Sequence, residues 1–281
     1  MSNILQAILN IEKSASTQLR ASRNAVNRMN SIGEGLEAYI KDAFAGTIDE
    51  TNLETKDIAV SKVFSYLGNA NNIPDAMLKG GDAIEVKKIQ GFNSGIALNS
   101  SYPKDKLYSD DHRVSKACIE SEDWESKDII YAIGIVPKKG KLKHLWMVYG
   151  DCYAANREVY TRIGSTIKEG VETIVDVEFS ETKELGRVNA VDPLGITYLR
   201  IRGMWHIENP LTVYKNIYEV NKELSFSLSC ILQKSKFDSF PKKDREAIKN
   251  NKNIATKDIK IKNPNNPAQM LDAVLITIEE K

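Results

Sequence analysis

Leu36, Ile40, Ala43 and Phe44 recur at helical spacing directly behind Ser31-Ile32-Gly33-Glu34, a Ser-x-x-Glu string that reads as a capping box. The pattern predicts a helix over 32–44. Residues 58–66 have the composition of a strand, and Gly68-Asn69-Ala70-Asn71-Asn72 after them is a turn-forming polar run. Two short segments, 75–78 and 82–89, are joined across Lys79-Gly80-Gly81, which predicts a hairpin closed by a three-residue loop. That loop fixes the register. Leu78 pairs with Asp82, Asp75 falls opposite Glu85, and the two-residue period of a strand puts Asp75, Glu85 and Lys87 on one face.

Downstream, 114–126 reads as a helix carrying Ala117, Cys118 and Trp124, and 129–136 is a nearly unbroken apolar run suited to a central buried strand. Pro137-Lys138-Lys139-Gly140-Lys141 is a turn, and 145–149 returns as a strand. The order helix, three strands, helix, two strands predicts a mixed α/β fold. Further on, 153–168 looks helical, 174–179 and 198–202 look extended, and 213–232 is apolar and periodic without declaring its type. The polar, turn-rich stretches 180–193 and 260–267 are too short to link separate domains. One domain over 1–281 with a peripheral elaboration is expected.

With 42% hydrophobic and 27% charged residues, the chain is an ordinary globular protein rather than a disordered or low-complexity one. Its 39 Lys and Arg balance 38 Asp and Glu, so net charge does not single out a polyanion partner. Charge is nonetheless segregated: Arg20, Arg23 and Arg28 precede an acidic stretch with Glu34, Glu37, Asp42, Asp49, Glu50, Glu54 and Asp57. A protein that grips both phosphates and divalent cations would also sum to near zero. Cys118, Cys152 and Cys230 have no C-x-x-C spacing, which predicts reduced thiols and a cytoplasmic location. The sequence shows neither a secretion signal nor a membrane-spanning run. His112, His144 and His206 lack ligand spacing, Trp124, Trp146 and Trp205 read as core, and the absence of a phosphate-binding glycine loop argues against a nucleotide cofactor.

The segment with chemistry is Pro74-Asp75, nine residues, then Glu85-Val86-Lys87, a P-D…(D/E)-x-K pattern. Two carboxylates on adjacent strands can share a hard divalent cation, and the lysine ammonium can stabilise charge on a phosphoryl oxygen or an attacking hydroxide. That is a recipe for phosphodiester hydrolysis. The pattern alone arises by accident in roughly one chain in ten of this size, and its plain reading is a solvated strand face with cross-strand pairs. Three features raise it above accident: the halves lie on consecutive strands, the register makes them face each other, and Glu37 stands beside the apolar stripe of an upstream helix.

Longer strings carry a resemblance. Val63-Phe64-Ser65-Tyr66-Leu67-Gly68-Asn69, Pro74-Asp75-Ala76-Met77-Leu78, and Gly81-Asp82-Ala83-Ile84-Glu85-Val86-Lys87-Lys88 resemble the NgoPII family of type II restriction endonucleases. Ala97-Leu98-Asn99-Ser100-Ser101-Tyr102-Pro103-Lys104, Glu181-Thr182-Lys183-Glu184-Leu185-Gly186-Arg187, Tyr198-Leu199-Arg200-Ile201-Arg202-Gly203-Met204-Trp205 and Ile261-Lys262-Asn263-Pro264-Asn265-Asn266-Pro267 agree in the same order. The resemblance implies a PD-(D/E)XK core, a mixed central sheet flanked by helices with a peripheral DNA-recognition elaboration, and Mg2+-dependent cutting of double-stranded DNA at a GGCC-type palindrome. It implies Asp75, Glu85 and Glu37 as metal ligands and Lys87 as the catalytic lysine, with Glu34 as the alternative helical acid. On this reading the catalytic core occupies about 31–150 and the recognition and dimer elaboration about 151–281.

A palindrome is matched most simply by a twofold homodimer. Guanine is read by Arg or Lys donors, with Asn, Ser and Thr completing other contacts. Three patches qualify: Asn99, Ser100 and Ser101 with Lys104 or Lys106; Arg187 with Asn189; and Arg200 with Arg202. Lys88 points to the face opposite Lys87 and is expected to be structural. Two rival readings are a sequence-specific DNA-binding protein with an inactive nuclease core, and a globular protein unrelated to DNA with a fortuitous motif.

Overall fold

The computed structural model describes residues 2–14, 17, 19, 28–69, 72–137 and 141–280, and the side chains of 28–33 stand outside that description. Arg20, Arg23, the side chain of Arg28, and part of the predicted turns at 70–71 and 138–140 therefore lie outside the described residues. The chain opens with α1 (Ile4–Lys13), α2 (Arg28–Ala45) and α3 (Leu53–Val63). Strands β1 (Phe64–Tyr66), β2 (Ala76–Leu78), β3 (Ala83–Ile89), β4 (Ile96–Asn99) and β5 (Lys106–Tyr108) follow. Next come α4 (Lys116–Ile119), β6 (Ser126–Ile135), β7 (His144–Tyr149), α5 (Gly150–Tyr153) and α6 (Arg157–Glu172). Then β8 (Glu178–Phe179), β9 (Gly186–Asn189), β10 (Leu199–Ile201), β11 (Trp205–Ile207), α7 (Pro210–Val213) and β12 (Phe226–Gln233) are met. The chain finishes with α8 (Lys234–Ser239), α9 (Lys242–Asn250), β13 (Ile254–Asn263) and β14 (Asn266–Glu280).

The main sheet runs β1-β2-β3-β6-β7-β12-β14-β13, with β5 added against β6. It is mixed: β3/β6 and β7/β12 are parallel, the other pairs antiparallel. This is the expected mixed α/β architecture, a large central sheet flanked by helices. The apolar run 129–136 lies at its centre as β6, buried from Ile129 to Val136. Three strands from beyond residue 150, β12 to β14, complete the same sheet rather than standing apart from it. Two smaller sheets, β10-β9-β8 and β11-β4, lie beside it. No helix among the described residues is long and apolar enough to cross a membrane.

Helix α2 carries the predicted stripe, with Leu36, Ile40, Ala43 and Phe44 all buried. Gly134 on β6 makes room for it, because a Cβ there would lie 2.6 Å from Leu36 Cδ2. The helix starts at Arg28, so Ser31 lies inside it and is not its cap.

Segment 58–66 corrects the expectation of a strand. Its β-branched residues belong mostly to α3, which is started by Asn52 accepting from Thr55 N–H and by Glu54 in the first turn; only its last three residues are extended. The predicted helix at 114–126 is a single turn, α4, because the Ser121 hydroxyl and the Trp124 indole both take the Cys118 carbonyl and compete with helix continuation. The helix expected at 153–168 starts later and runs further, after a break between α5 and the Asn156 cap of α6. Of 174–179 only the last two residues form a strand, while 198–202 contains β10. The segment 213–232 resolves into the end of α7, turns and β12, and the polar run 260–267 is the tip of the long β13–β14 hairpin, whose Ile259 and Ile261 alternate with lysines.

Trp146 is fully buried, as expected, and Trp124 and Trp205 are partly so. His144 lies buried on β7 with Nδ1 2.7 Å from Ser227 Oγ, and burial pushes its pKa down to about 3. The unfolded chain takes up this proton below about 6.5 while the folded chain holds the ring neutral, so the contribution to stability is complete above 6.5 and lost as pH falls toward 3. Urea unfolding from pH 7 to 5 should show wild-type stability falling by up to about 1.4 kcal/mol per pH unit more than that of His144→Gln. Parallel slopes for the two proteins would contradict this.

Candidate active site

The site grows from the β2–β3 hairpin. Ala76 pairs with Ile84 and Met77 with Ala83, and Leu78 N–H donates to Asp82 O at 3.0 Å across the Gly80-Gly81 loop. Continued by one step, this register sets Asp75 opposite Glu85, as the loop length demands. There the backbone ladder stops, and the Asp75 carboxylate takes over: its Oδ2 accepts the Val86 N–H at 2.6 Å. Two residues on, Lys87 Nζ donates to Glu85 Oε1 at 2.6 Å. The period of two has put the acid and the ammonium on one face.

These groups open onto a cleft of about 430 Å³. Glu34 and Glu37 of α2 line it together with Asp75, Glu85 and Lys87, and so do Asn99, Ser100 and Ser101 at the end of β4. Gly68 forms part of the wall with φ of +69°. Of the two helical acids, Glu37 is half-buried and its pKa is raised by burial and then by the charge of Asp75, whereas Glu34 is exposed. Glu37 is therefore the acid electrostatically tied to the hairpin.

Burial also raises Asp75 and pushes Glu85 up to about 7, against the opposing pull of Lys87. Burial alone would lower Lys87, but Glu85 and Asp75 beside it leave its pKa raised, so the ammonium stays charged. Carboxylates outnumber the cation, and Glu85 Oε2 is buried without a hydrogen-bond partner among the described residues. An unsatisfied buried carboxylate oxygen next to a second carboxylate is what a hard cation relieves, and the oxygen-only donor set suits a hard divalent ion. Among the described residues no three Asp, Glu, His or Cys side chains form a metal-holding group by themselves. The Asp75–Glu85 pair thus fits an ion that takes one or two carboxylates and fills its remaining positions with water and phosphate oxygens.

The other sequence candidates separate. Lys104 is only 2% exposed, paired with Asp111 at 2.7 Å and set over the Tyr102 ring, and burial lowers its pKa to about 8 despite Asp111. It is an interior residue, which corrects the expectation that it approaches a groove. Lys106 lies on β5, paired with Asp128 at 3.3 Å and away from the cleft walls. Arg187 is exposed and stacks on Tyr198, and Asn189 accepts from Ser180 at 3.4 Å. Arg200 makes a two-pronged contact with Glu184, at 2.8 and 2.7 Å, and Arg202 reaches the same carboxylate. Lys88 does not line the cleft.

A second groove of about 250 Å³ adjoins the first and shares Ser100 and Arg113 with it. Tyr102, Tyr160, Lys168, Lys183, Arg202 and Trp205 contribute to its walls. Arg113 was not singled out by the sequence, where it follows Asp110-Asp111-His112 in an ordinary polar loop. Its NH1 donates to Ser100 Oγ at 2.7 Å, its Nε to His112 at 3.1 Å, and its carbonyl accepts from Asn72 at 3.0 Å. No carboxylate pairs with its guanidinium among the described residues, unlike Arg157, Arg200, Arg202 and Arg245.

Residues 2–262 match the family described as NgoPII restriction endonuclease. The Type II restriction enzyme NgoPII of Neisseria gonorrhoeae is 51% identical over 276 residues, covering 98% of this chain and 99% of that protein. No solved structure matches. A match of this length, together with 51% identity to a full-length relative, places the chain in the NgoPII restriction endonuclease family.

Proposed function

We propose that this protein is a site-specific deoxyribonuclease with a PD-(D/E)XK core, hydrolysing phosphodiester bonds of double-stranded DNA at a short palindrome of the GGCC type. The observation that carries the reading is the facing pair Asp75 and Glu85, with Lys87 held beside them, opening onto a cleft walled by Asn99, Ser100 and Ser101. Asp75 and Glu85 would hold Mg2+, with Glu37 supporting them, and Glu34 lying one turn away. The ion, when bound, supplies Lewis-acid stabilisation of phosphoryl charge and acidifies water. Lys87 presents its ammonium toward the scissile phosphate and stabilises charge as it builds there, while Glu85 fixes its position. The Val86 N–H fixes Asp75 in the same way. Asn99, Ser100, Ser101 and Arg113 would meet the duplex beside that phosphate, and Arg187, Asn189, Arg200 and Arg202 would meet it further along. The described cysteines are buried and unbridged, which supports a reducing, cytoplasmic setting.

Digestion of a fully sequenced plasmid in Mg2+, with end-sequencing of the fragments, should place every terminus within one short palindrome. Intact plasmid, with tight salt-dependent binding in Ca2+, would instead favour the inactive binding protein. Arg113→Ala is expected to weaken binding about equally on all sequences and to lower the slope of log affinity against log salt by about 1, as loss of one phosphate contact does. An unchanged slope with relaxed sequence preference would mean that Arg113 reads a base instead.

A further inference from the structure

Lys104 stands 2% exposed behind the cleft, although nothing in the packing there asks for a charge. Ile73, Leu98 and Ile129 border the same spot, so an unbranched apolar side chain of similar length would fill it without desolvating an ammonium. The fold instead surrounds the ammonium with partners. Asp111 pairs with Nζ at 2.7 Å and is itself held by the Tyr102 hydroxyl at 3.3 Å and the Arg113 N–H at 2.9 Å. The Tyr102 ring lies 3.0 Å from Nζ. The backbone is pinned as well: Lys104 N–H donates to the Tyr131 hydroxyl at 2.7 Å, and Gly150 lets the Lys104 carbonyl pass, since a Cβ there would lie 2.3 Å from it. An ammonium has three donors, and the carboxylate and the ring face take two. One is left over.

What the remaining donor can reach is set by a small enclosed space. Lys104, Tyr131, Ser101 and Glu85 line it, and its volume of about 10 Å³ is the room of a single water. Glu85 enters from the catalytic side, because β3 and β6 pair in parallel with Glu85 beside Tyr131, which sets both side chains on one face of the sheet. Glu85 Oε1 takes Lys87, while the Oε2 atom is buried without a hydrogen-bond partner among the described residues. The Tyr131 hydroxyl accepts the Lys104 N–H and so has its own hydrogen left to give. An orphan acceptor, a spare donor on the ammonium and another on the phenol supply the two to four partners that a buried water needs. Asp111 neutralises Lys104, so the pair offers Glu85 a hydrogen-bond donor rather than a net positive charge that would repel a cation.

We infer that Lys104 and Tyr131 are positioning residues that hold Glu85 from behind, through one buried water bonded to Glu85 Oε2, leaving that oxygen's second lone pair to the metal. The inference rests on the proposed role of Glu85 as a ligand. Crystals grown without metal should show a water within hydrogen-bond reach of Glu85 Oε2 and Lys104 Nζ; a dry space there overturns it. Mn2+ titrated into the free protein and counted by electron paramagnetic resonance reads the affinity for the ion apart from cleavage. Lys104→Met combined with Asp111→Asn removes both charges at once and strands neither, so the fold is kept, which circular dichroism checks. That double variant should bind Mn2+ about 10- to 100-fold more weakly, the usual cost of losing the outer partner of a ligand, and Tyr131→Phe should do the same. A role in packing alone would leave the affinity where it is, so a value within about twofold of wild type in either variant overturns the inference. A protein that cuts at defined sites with its ion affinity indifferent to these changes leaves the nuclease reading standing; one that shows the water and the loss of affinity yet never cuts leaves the positioning role standing without it.

Discussion

Lys87→Ala should lower the single-turnover cleavage rate by about a thousandfold or more, the scale of loss when one preorganised donor to developing charge is removed. Binding of the target duplex in Ca2+ should change by no more than a few-fold, because Asp75, Glu85 and the Asn99–Ser101 wall remain. The split between rate and binding is the informative part. Lys87 is half-buried and held against Glu85 by a 2.6 Å ion pair, so a purely structural lysine would lower stability and binding together. Cleavage by Lys87→Ala within tenfold of the wild-type rate would remove the lysine from the chemistry.

Gly68→Ala should damage the same chemistry from the backbone side. Gly68 has φ of +69°, and an added Cβ would lie 2.9 Å from Asp75 Cα and closer still to the Asp75 carbonyl oxygen. The left-handed conformation costs an alanine roughly 1–2 kcal/mol, but the larger consequence is that the Asp75 backbone must shift, and with it the carboxylate that the Val86 N–H now fixes. A displacement of this kind costs on the order of 10²-fold in rate. Cleavage kinetics and thermal melts on the same preparation separate the two terms. A variant that melts lower but cuts at the wild-type rate would show that Asp75 does not need this wall.

The hairpin was legible because two local rules acted without competition. A Gly-containing three-residue loop allows one register, and the strand period then decides which side chains share a face, so Asp75, Glu85 and Lys87 could be placed together from sequence. Glu37 was legible for a similar reason: the stripe Leu36, Ile40, Ala43 and Phe44 must face the sheet, and Glu37 adjoins it. What failed depended on tertiary partners. Arg113 reaches the cleft because Ile73 bridges to Val114 and Asn72 holds the Arg113 carbonyl, contacts some forty residues apart that no local pattern encodes. Lys104 looked like a surface lysine until Asp111 folded over to receive it. In 58–66, β-branched residues suggested a strand, but the Asn52 cap and first-turn Glu54 upstream outweighed that preference. The β12 to β14 strands escaped because one is a buried run shaped like a helix segment and the other two form a ribbon whose tip looks like a loop.

On the proposed reading, Asp75 and Glu85 would together hold the ion beside Lys87 in the cleft. Anomalous diffraction from crystals soaked in Mn2+ tests it most directly. The expected result is a peak between the two carboxylates, with ligand distances of about 2.0–2.6 Å, that disappears in Asp75→Ala. A peak anchored on other residues, or one that persists unchanged in Asp75→Ala, would contradict it.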